Sequence, residues 1–424
     1  MKKGRIHCIG IGGIGLSALA QYFKHEGYEV SGTDQSESKI TALLGAKGIN
    51  VAIGHHPELI TGDIEQVFYT AALPDNDPEL LCARELGIPT YTYAQGLGEI
   101  SRSKKTIAIA GSHGKTSTTA MIAHIFQQAA KDPTVIVGSL LSQSGTNFIA
   151  GKSDIFVVEA CEYKKSFLEI SPLVAVITNI DNDHLDYYGT MENLVATFRD
   201  FVERVPEDGY IVVDTTFPYM QDILTSAKAR IVDVSNLSSA FDLKVPGGHM
   251  QKNARLATEV ASIFGVSEEV SKIALTTFSG TWRRSEYIGM TKNGAIVFDD
   301  YGHHPTEIQV TLDGFKSKYS DKKIVVLFQP HLYSRTKLLF NDFVNAFESA
   351  SEIYIAPIYA AREQDPGDIR SEMLIDALTS RGKNVKKFTD DSVLELAEKT
   401  EDSVIISLGA GEMNLVAEKL IISK

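Results

Sequence analysis

Two glycine turns in this 424-residue chain have the residue types and spacing to hold phosphates. The first is Gly10-Ile11-Gly12-Gly13-Ile14-Gly15, a GxGxxG run followed nineteen residues later by Asp34. Glycines permit a tight turn and close backbone approach, so a diphosphate can rest on helix N–H groups while the acid accepts from ribose hydroxyls. The motif does not say which nucleotide, and a turn needed only for helix-sheet packing is the alternative. The second turn is Gly111-Ser112-His113-Gly114-Lys115-Thr116, with Ser117 next. It departs from GxxxxGK[ST] only at its front, where Ala110 precedes Gly111. Backbone N–H groups of such a loop cradle phosphates, its lysine bridges the β and γ phosphates, and its threonine can ligate Mg2+. ATP binding is therefore expected here.

A triphosphate needs acidic help, because Mg2+ takes oxygen ligands. The run DIFVVEA delivers Glu159 to a strand end, with Glu162 three residues on, and LVAVITNI ends in Asn179, then Asp181, Asp183 and His184. Glu159 and His184 could share a second metal, since paired cations recur in phosphoryl transfer. Each alone reads equally as a cap or a solvated charge. Arg283 and Arg284 could reach a phosphate or could be a surface pair. Asp299-Asp300-Tyr301-Gly302-His303-His304 follows another apolar run, as do Gln329, His331 and Arg335. Adjacent histidines without further ligands at a recognisable spacing do not make a structural zinc site. Arg335 offers the bidentate fork that suits a carboxylate.

The elements that must position these groups alternate between strand-like apolar runs and longer amphipathic stretches, the pattern of α/β domains with largely parallel sheets. Three units are expected: 1–102, a Rossmann-like domain; 103–290, a central P-loop domain; and 291–424, a second Rossmann-like domain. The length exceeds what one hydrophobic core usually serves. A net charge of −13 argues against a nucleic-acid partner. No apolar run is long enough for a membrane span. The opening MKKGRIHCIGIGGIG is glycine-rich and lacks a small-residue cleavage site, unlike a signal peptide. Cys8, Cys82 and Cys161 are odd in number and far apart, as in a cytoplasmic protein with reduced thiols.

The order and spacing of GIGGIG, YTAALPDNDPE, GSHGKTSTT, VEACEYKKSFL, ITNIDNDHLDYY, VPGGHMQKNA, GTWRRSEY, DDYGHHPTEI, FQPHLYSRT and LGAGEMN resemble the Mur ligases of peptidoglycan synthesis across all three units. The resemblance implies that the first domain binds a UDP-sugar rather than NAD, through Gly10, Gly12, Gly13, Ile14, Gly15, Asp34 and Thr70. It implies that Gly111 to Ser117 hold ATP, with Lys115 stabilising the transferring phosphoryl group and Thr116 on the first Mg2+. Glu159 would bridge both metals and His184 would hold the second. Asn253 would contact adenine, Arg284 the γ-phosphate and Asp300 the ribose, while His303 or His304 and Arg335 would position the amino acid. The implied reaction joins UDP-N-acetylmuramate to L-alanine through an acyl-phosphate, with domain closure to exclude water. Met250 stands where the family's adenine segment carries asparagine, and Thr70 where it usually carries serine. A dehydrogenase would leave the P-loop idle, and a plain P-loop ATPase gives no reason for a second phosphate turn. A tripeptide-attaching ligase is the nearest rival within the family, and folylpolyglutamate synthase shares only the P-loop core.

Overall fold

The computed structural model describes residues 3–142, 144–237, 240–361 and 363–421. Its strands form three sheets. The first contains β1 (Arg5–Ile9), β2 (Glu29–Asp34), β3 (Asn50–Ile53), β4 (Ile64–Tyr69) and β5 (Thr90–Thr92), ordered β3-β2-β1-β4-β5. All its pairings are parallel. Helices α1 (Ile14–His25), α2 (Lys39–Ala46), α3 (Pro78–Glu85) and α4 (Tyr93–Arg102) supply its crossovers and edges.

The second sheet holds β6 (Lys105–Ala110), β7 (Thr134–Ile136), β8 (Phe148–Ile149), β9 (Ile155–Glu159), β10 (Val174–Ile177), β11 (Tyr210–Val213) and β12 (Arg230–Asp233). Their order is β12-β11-β10-β6-β9-β7-β8, parallel except for the β7–β8 pair. Helix α5 (Lys115–Gln128) follows β6 and is buried on nearly every side from Thr116 to Phe126. An all-round apolar and small-residue helix of this kind belongs inside a domain.

The third sheet is β13 (Glu286–Met290), β14 (Ile296–Asp300), β15 (Lys323–Phe328), β16 (Glu352–Ile355), β17 (Val385–Lys387) and β18 (Ser403–Leu408). Its order is β13-β14-β18-β15-β16-β17, with β13 the antiparallel edge. Alternation along β15 shows why its sequence is an unbroken apolar run. Ile324, Val326 and Phe328 enter one core cluster, Val325 and Leu327 the other, so both faces are covered.

By compactness the chain divides into two units, residues 1–241 with 253–276, and residues 242–252 with 277–424. The first two sheets lie in the first unit and the third sheet in the second. Among the described residues no helix is long and apolar enough to cross a membrane.

Candidate active site

The turn after β6 is shaped by its neighbours before any ligand arrives. Gly111 has φ +129°, and a Cβ there would lie 2.1 Å from Thr178 Oγ1, so the position admits little but glycine. The end of β10 braces the loop: Asn179 Oδ1 accepts from the His113 N–H at 3.0 Å, and its Nδ2 donates to the His113 carbonyl at 3.0 Å. His113 Nε2 stands 2.8 Å from Asp181 Oδ2. Asn179 and Asp181, which the sequence marks only as polar residues at a strand end, are thus the supports of the loop.

Lys115 begins α5 and folds its ammonium back over the loop. It donates to the carbonyls of Gly111 and Ser112, the latter at 3.1 Å, and to Glu162 Oε1 at 3.0 Å. Burial alone would depress this ammonium, yet the Glu162 carboxylate beside it overrides that and holds its pKa above the ordinary lysine value. Glu162 is 1% exposed on its side chain and also lies 3.6 Å from His184 Nε2. Asp183 Oδ2 stands 3.7 Å from the same nitrogen, and Tyr163 packs its ring 5.0 Å from the imidazole. His184 therefore stands beside Glu162 and Asp183. Glu159 has different partners: its Oε1 accepts from Thr116 Oγ1 at 3.1 Å and its Oε2 from the Gly138 N–H at 2.9 Å. Asn253 is buried, with its side-chain oxygen 2.7 Å from where a Cβ on Gly114 would lie.

The first turn is packed against its own domain. The Asp34 carboxylate accepts from the Gly12 N–H at 2.8 Å, and a Cβ on Gly12 would come equally close to it. A Cβ on Gly15 would fall 2.7 Å from the Tyr93 ring, and one on Gly10 would meet the Thr70 methyl at 2.5 Å. Gly13 caps α1 in an extended conformation, and Ile14 is its first residue. Asp34 thus fixes the turn from within, a role that the bare spacing does not reveal.

In the second unit the two adjacent arginines separate. Arg283 is 6% exposed and spends its guanidinium on Asp299 Oδ2 at 3.0 Å and on the carbonyls of Gly411 at 2.8 Å and Gly409 at 2.5 Å. It is a buried strut, neither a surface residue nor a phosphate ligand. Arg284 keeps more of its surface, lying 3.6 Å from Glu307 and over the Tyr301 ring. Asp300 is buried and accepts from the N–H groups of Ser285 at 2.6 Å and Gly302 at 2.7 Å. Burial pushes its carboxyl above the usual range, with Arg284 opposing.

The histidine pair also divides. His304 is 3% exposed and caps the helix Pro305–Lys318, its Nδ1 accepting from the Thr306 N–H at 3.3 Å, with Glu307 reaching back to complete a capping box. His303 instead points its ring to His331, centroids 5.5 Å apart. His331 Nδ1 lies 3.2 Å from Arg335 Nη1 and its ring stacks on Tyr359. His303, His331, Tyr359 and Arg335 therefore gather at the ends of β14, β15 and β16, where open α/β sheets collect ligands. Gln329 turns away to hold the backbone at Glu412 and Pro357.

The geometry has relatives. Residues 5–105 match the model described as "Mur ligase family, catalytic domain", 109–255 the "Mur ligase middle domain", and 283–411 "Mur ligase, glutamate ligase domain". The chain is 39% identical to the UDP-N-acetylmuramate–L-alanine ligase of Clostridium kluyveri over 99% of its own length and 98% of that protein's. It is 40% identical to the enzyme of that name from Caldanaerobacter subterraneus, with the same coverage of each. Among solved structures, the UDP-N-acetylmuramate–alanine ligase of Thermotoga maritima superposes with a TM-score of 0.83 at 27% identity, covering 99% of this chain and 98% of that one. A murein peptide ligase from Psychrobacter arcticus shares the fold, with a TM-score of 0.70 at 23% identity over the whole of both chains. Three matched domains in order, and near-complete relatives at this identity, mean that the chain belongs to the Mur ligase family.

Proposed function

We propose that this protein is an ATP-dependent ligase that forms an amide between the carboxylate of UDP-N-acetylmuramate and L-alanine in peptidoglycan precursor synthesis. It acts in the cytoplasm, where ATP and nucleotide-linked sugars are supplied. Residues 1–102 take the UDP-sugar, 103–290 the ATP and 291–424 the amino acid. The observation that carries this reading is the charged Lys115 ammonium, gathered over the P-loop by Gly111, Ser112 and Glu162. A cation so placed meets the charge that develops when a γ-phosphoryl group leaves ADP.

The muramyl carboxylate attacks the γ-phosphorus in line, the bond to ADP breaks, and an acyl-phosphate forms. The amine of L-alanine then attacks the carbonyl carbon, loses a proton, and phosphate departs. Gly111 to Ser117 cradle the phosphates, Asn253 contacts adenine, Arg284 the γ-phosphate and Asp300 the ribose. Gly10, Gly12, Gly13, Ile14, Gly15, Asp34 and Thr70 receive the UDP-sugar. Arg335 pairs with the carboxylate of the amino acid, with His303 beside it rather than His304, whose ring is committed to the helix cap. Thr116 and Glu159 put two hard oxygen donors 3.1 Å apart, a donor set that fits Mg2+. His184 would join Glu159 on a second ion. When bound, magnesium offsets the charge of the phosphates.

The test is phosphate release from ATP and Mg2+ with UDP-N-acetylmuramate, adding L-alanine, glycine, L-serine or the murein tripeptide in separate reactions. Release that requires both the UDP-sugar and L-alanine is expected. Release with the tripeptide alone would move the protein to another branch of the family, and release needing no UDP-sugar would overturn the ligase reading.

A further inference from the structure

The two phosphate turns belong to different sheets, yet the reaction brings a carboxylate held at one to a phosphorus held at the other. Something must set their separation. Asn147, the residue just before β8, has a side chain with no exposed surface. Its Nδ2 donates to the Ile14 carbonyl at 2.5 Å and to Ser17 Oγ at 2.8 Å, and its Oδ1 accepts from Gln21 Nε2 at 2.7 Å. All three partners lie on α1, the helix that the GxGxxG turn leads into. The backbone of Asn147 faces the other way, its carbonyl accepting from the Val137 N–H at 3.1 Å. The next N–H, that of Gly138, donates to Glu159 at 2.9 Å, and Glu159 accepts from Thr116 at 3.1 Å.

We propose that Asn147 is a positioning residue for the ligation, its buried amide fixing the UDP-sugar turn against the strand-end acid and threonine that serve ATP. The inference rests on the ligase reading above. Asn147 is not needed to satisfy a stranded carbonyl, because Ser17 Oγ already donates to Ile14 at 2.9 Å. Nor is it a ligand contact, since its amide hydrogens and oxygen are occupied by α1. What it adds is direction. A planar amide with its side-chain partners on α1 and its backbone carbonyl engaged by Val137 ties that helix to the Val137–Gly138 segment, which meets Thr116 through Glu159. The Tyr93 ring is seated against Gly15 at the same turn. In-line attack needs the reacting atoms close and aligned, and a displacement of about 1 Å costs on the order of 100-fold in rate.

The experiment compares wild type with Asn147→Ala and the milder Ser17→Ala, reading kcat at saturating substrates, the separate dissociation constants of ADP and UDP-N-acetylmuramate, and the melting temperature. Expected is a fall in kcat of roughly 10- to 100-fold for Asn147→Ala, a smaller fall for Ser17→Ala, and little change in either dissociation constant. A lowered melting temperature with kcat intact would reduce Asn147 to ordinary packing and overturn the inference. Should Asn147→Ala not fold, Gln21→Met, which removes the donor that orients the amide, is read by the same criteria. Wild type that binds UDP-N-acetylmuramate and turns over with L-alanine, beside variants of undiminished kcat, sinks this inference alone. Wild type that does neither sinks the ligase reading and this inference with it.

Discussion

Two buried ion pairs stand at strand ends of this molecule and serve opposite ends. At the P-loop, Lys115 meets Glu162 at 2.9 Å; in the third sheet, Arg283 meets Asp299 at 3.0 Å. Both acids are almost wholly buried. The arginine is a rigid, buried fork each of whose three nitrogens already donates inside the fold, to Asp299 and to two glycine carbonyls. The lysine is a point charge on a flexible stem, and the same carbonyls that hold it at rest line the loop where phosphate would sit. Buried charge pairs thus look alike in a list of distances and differ in whether the cation can turn to a new partner. The sharpest way to break this comparison is Lys115→Ala. Phosphate release is expected to fall by at least about 1,000-fold, the scale on which a phosphoryl-stabilising cation acts, and the melting temperature should fall as well, because Glu162 is left buried without its cation; turnover is therefore read at a temperature where the variant stays folded. Retained turnover would mean that Lys115 is as structural as Arg283.

Arg283→Ala tests the other side. Removing one partner of a buried pair leaves an uncompensated charge and costs about 3–5 kcal/mol of stability, readable as a shift of the urea midpoint. The molecules that remain folded should keep their turnover. Loss of turnover with stability unchanged would make Arg283 a ligand after all.

How far the sequence revealed this difference depends on the residue. The P-loop was legible because a glycine-lysine-threonine turn between a strand and a helix has few other uses. The sheets were legible because KIVVLF and SVIISL are short, nearly continuous apolar runs rich in β-branched residues, as strands covered on both faces require. Arg283 and Arg284 could not be told apart, since neighbours on an irregular segment point in different directions and the Asp299 partner is fixed only by folding. The histidine pair was more legible than it seemed. Pro305 at the first helical position and Glu307 two residues later mark His304 as an N-cap, which leaves His303 to face the cluster at Arg335. Asn147 gave no signal, because its partners lie more than a hundred residues away.

Arg335 extends the comparison to an arginine at the ends of the third sheet's strands. Its Nη1 lies 3.2 Å from His331 Nδ1, within the cluster at the strand ends. Arg335→Ala should raise the KM for L-alanine by about 10- to 100-fold, the loss of one charge-assisted contact of about 1.5–3 kcal/mol, and leave the affinity for ADP unchanged. Lysine at this position should restore little, because a bidentate fork is not replaced by a point charge. An unchanged KM for the amino acid would remove Arg335 from the site.

The smallest effect concerns the acid of the structural pair. Burial, opposed by Arg283 and Ser407, pushes the Asp299 carboxyl up to about 6 from an ordinary 3.8. The folded state therefore takes up a proton at Asp299 before the unfolded chain does. Its contribution to stability is fully present below about pH 3.8 and is lost as pH rises through about 6. Between those values wild type should lose stability relative to Asp299→Asn as pH increases, with a difference in slope of at most about 1.4 kcal/mol per pH unit. Urea denaturation of both proteins across that window reads it directly. Parallel stability curves would show that Arg283 holds Asp299 ionised throughout.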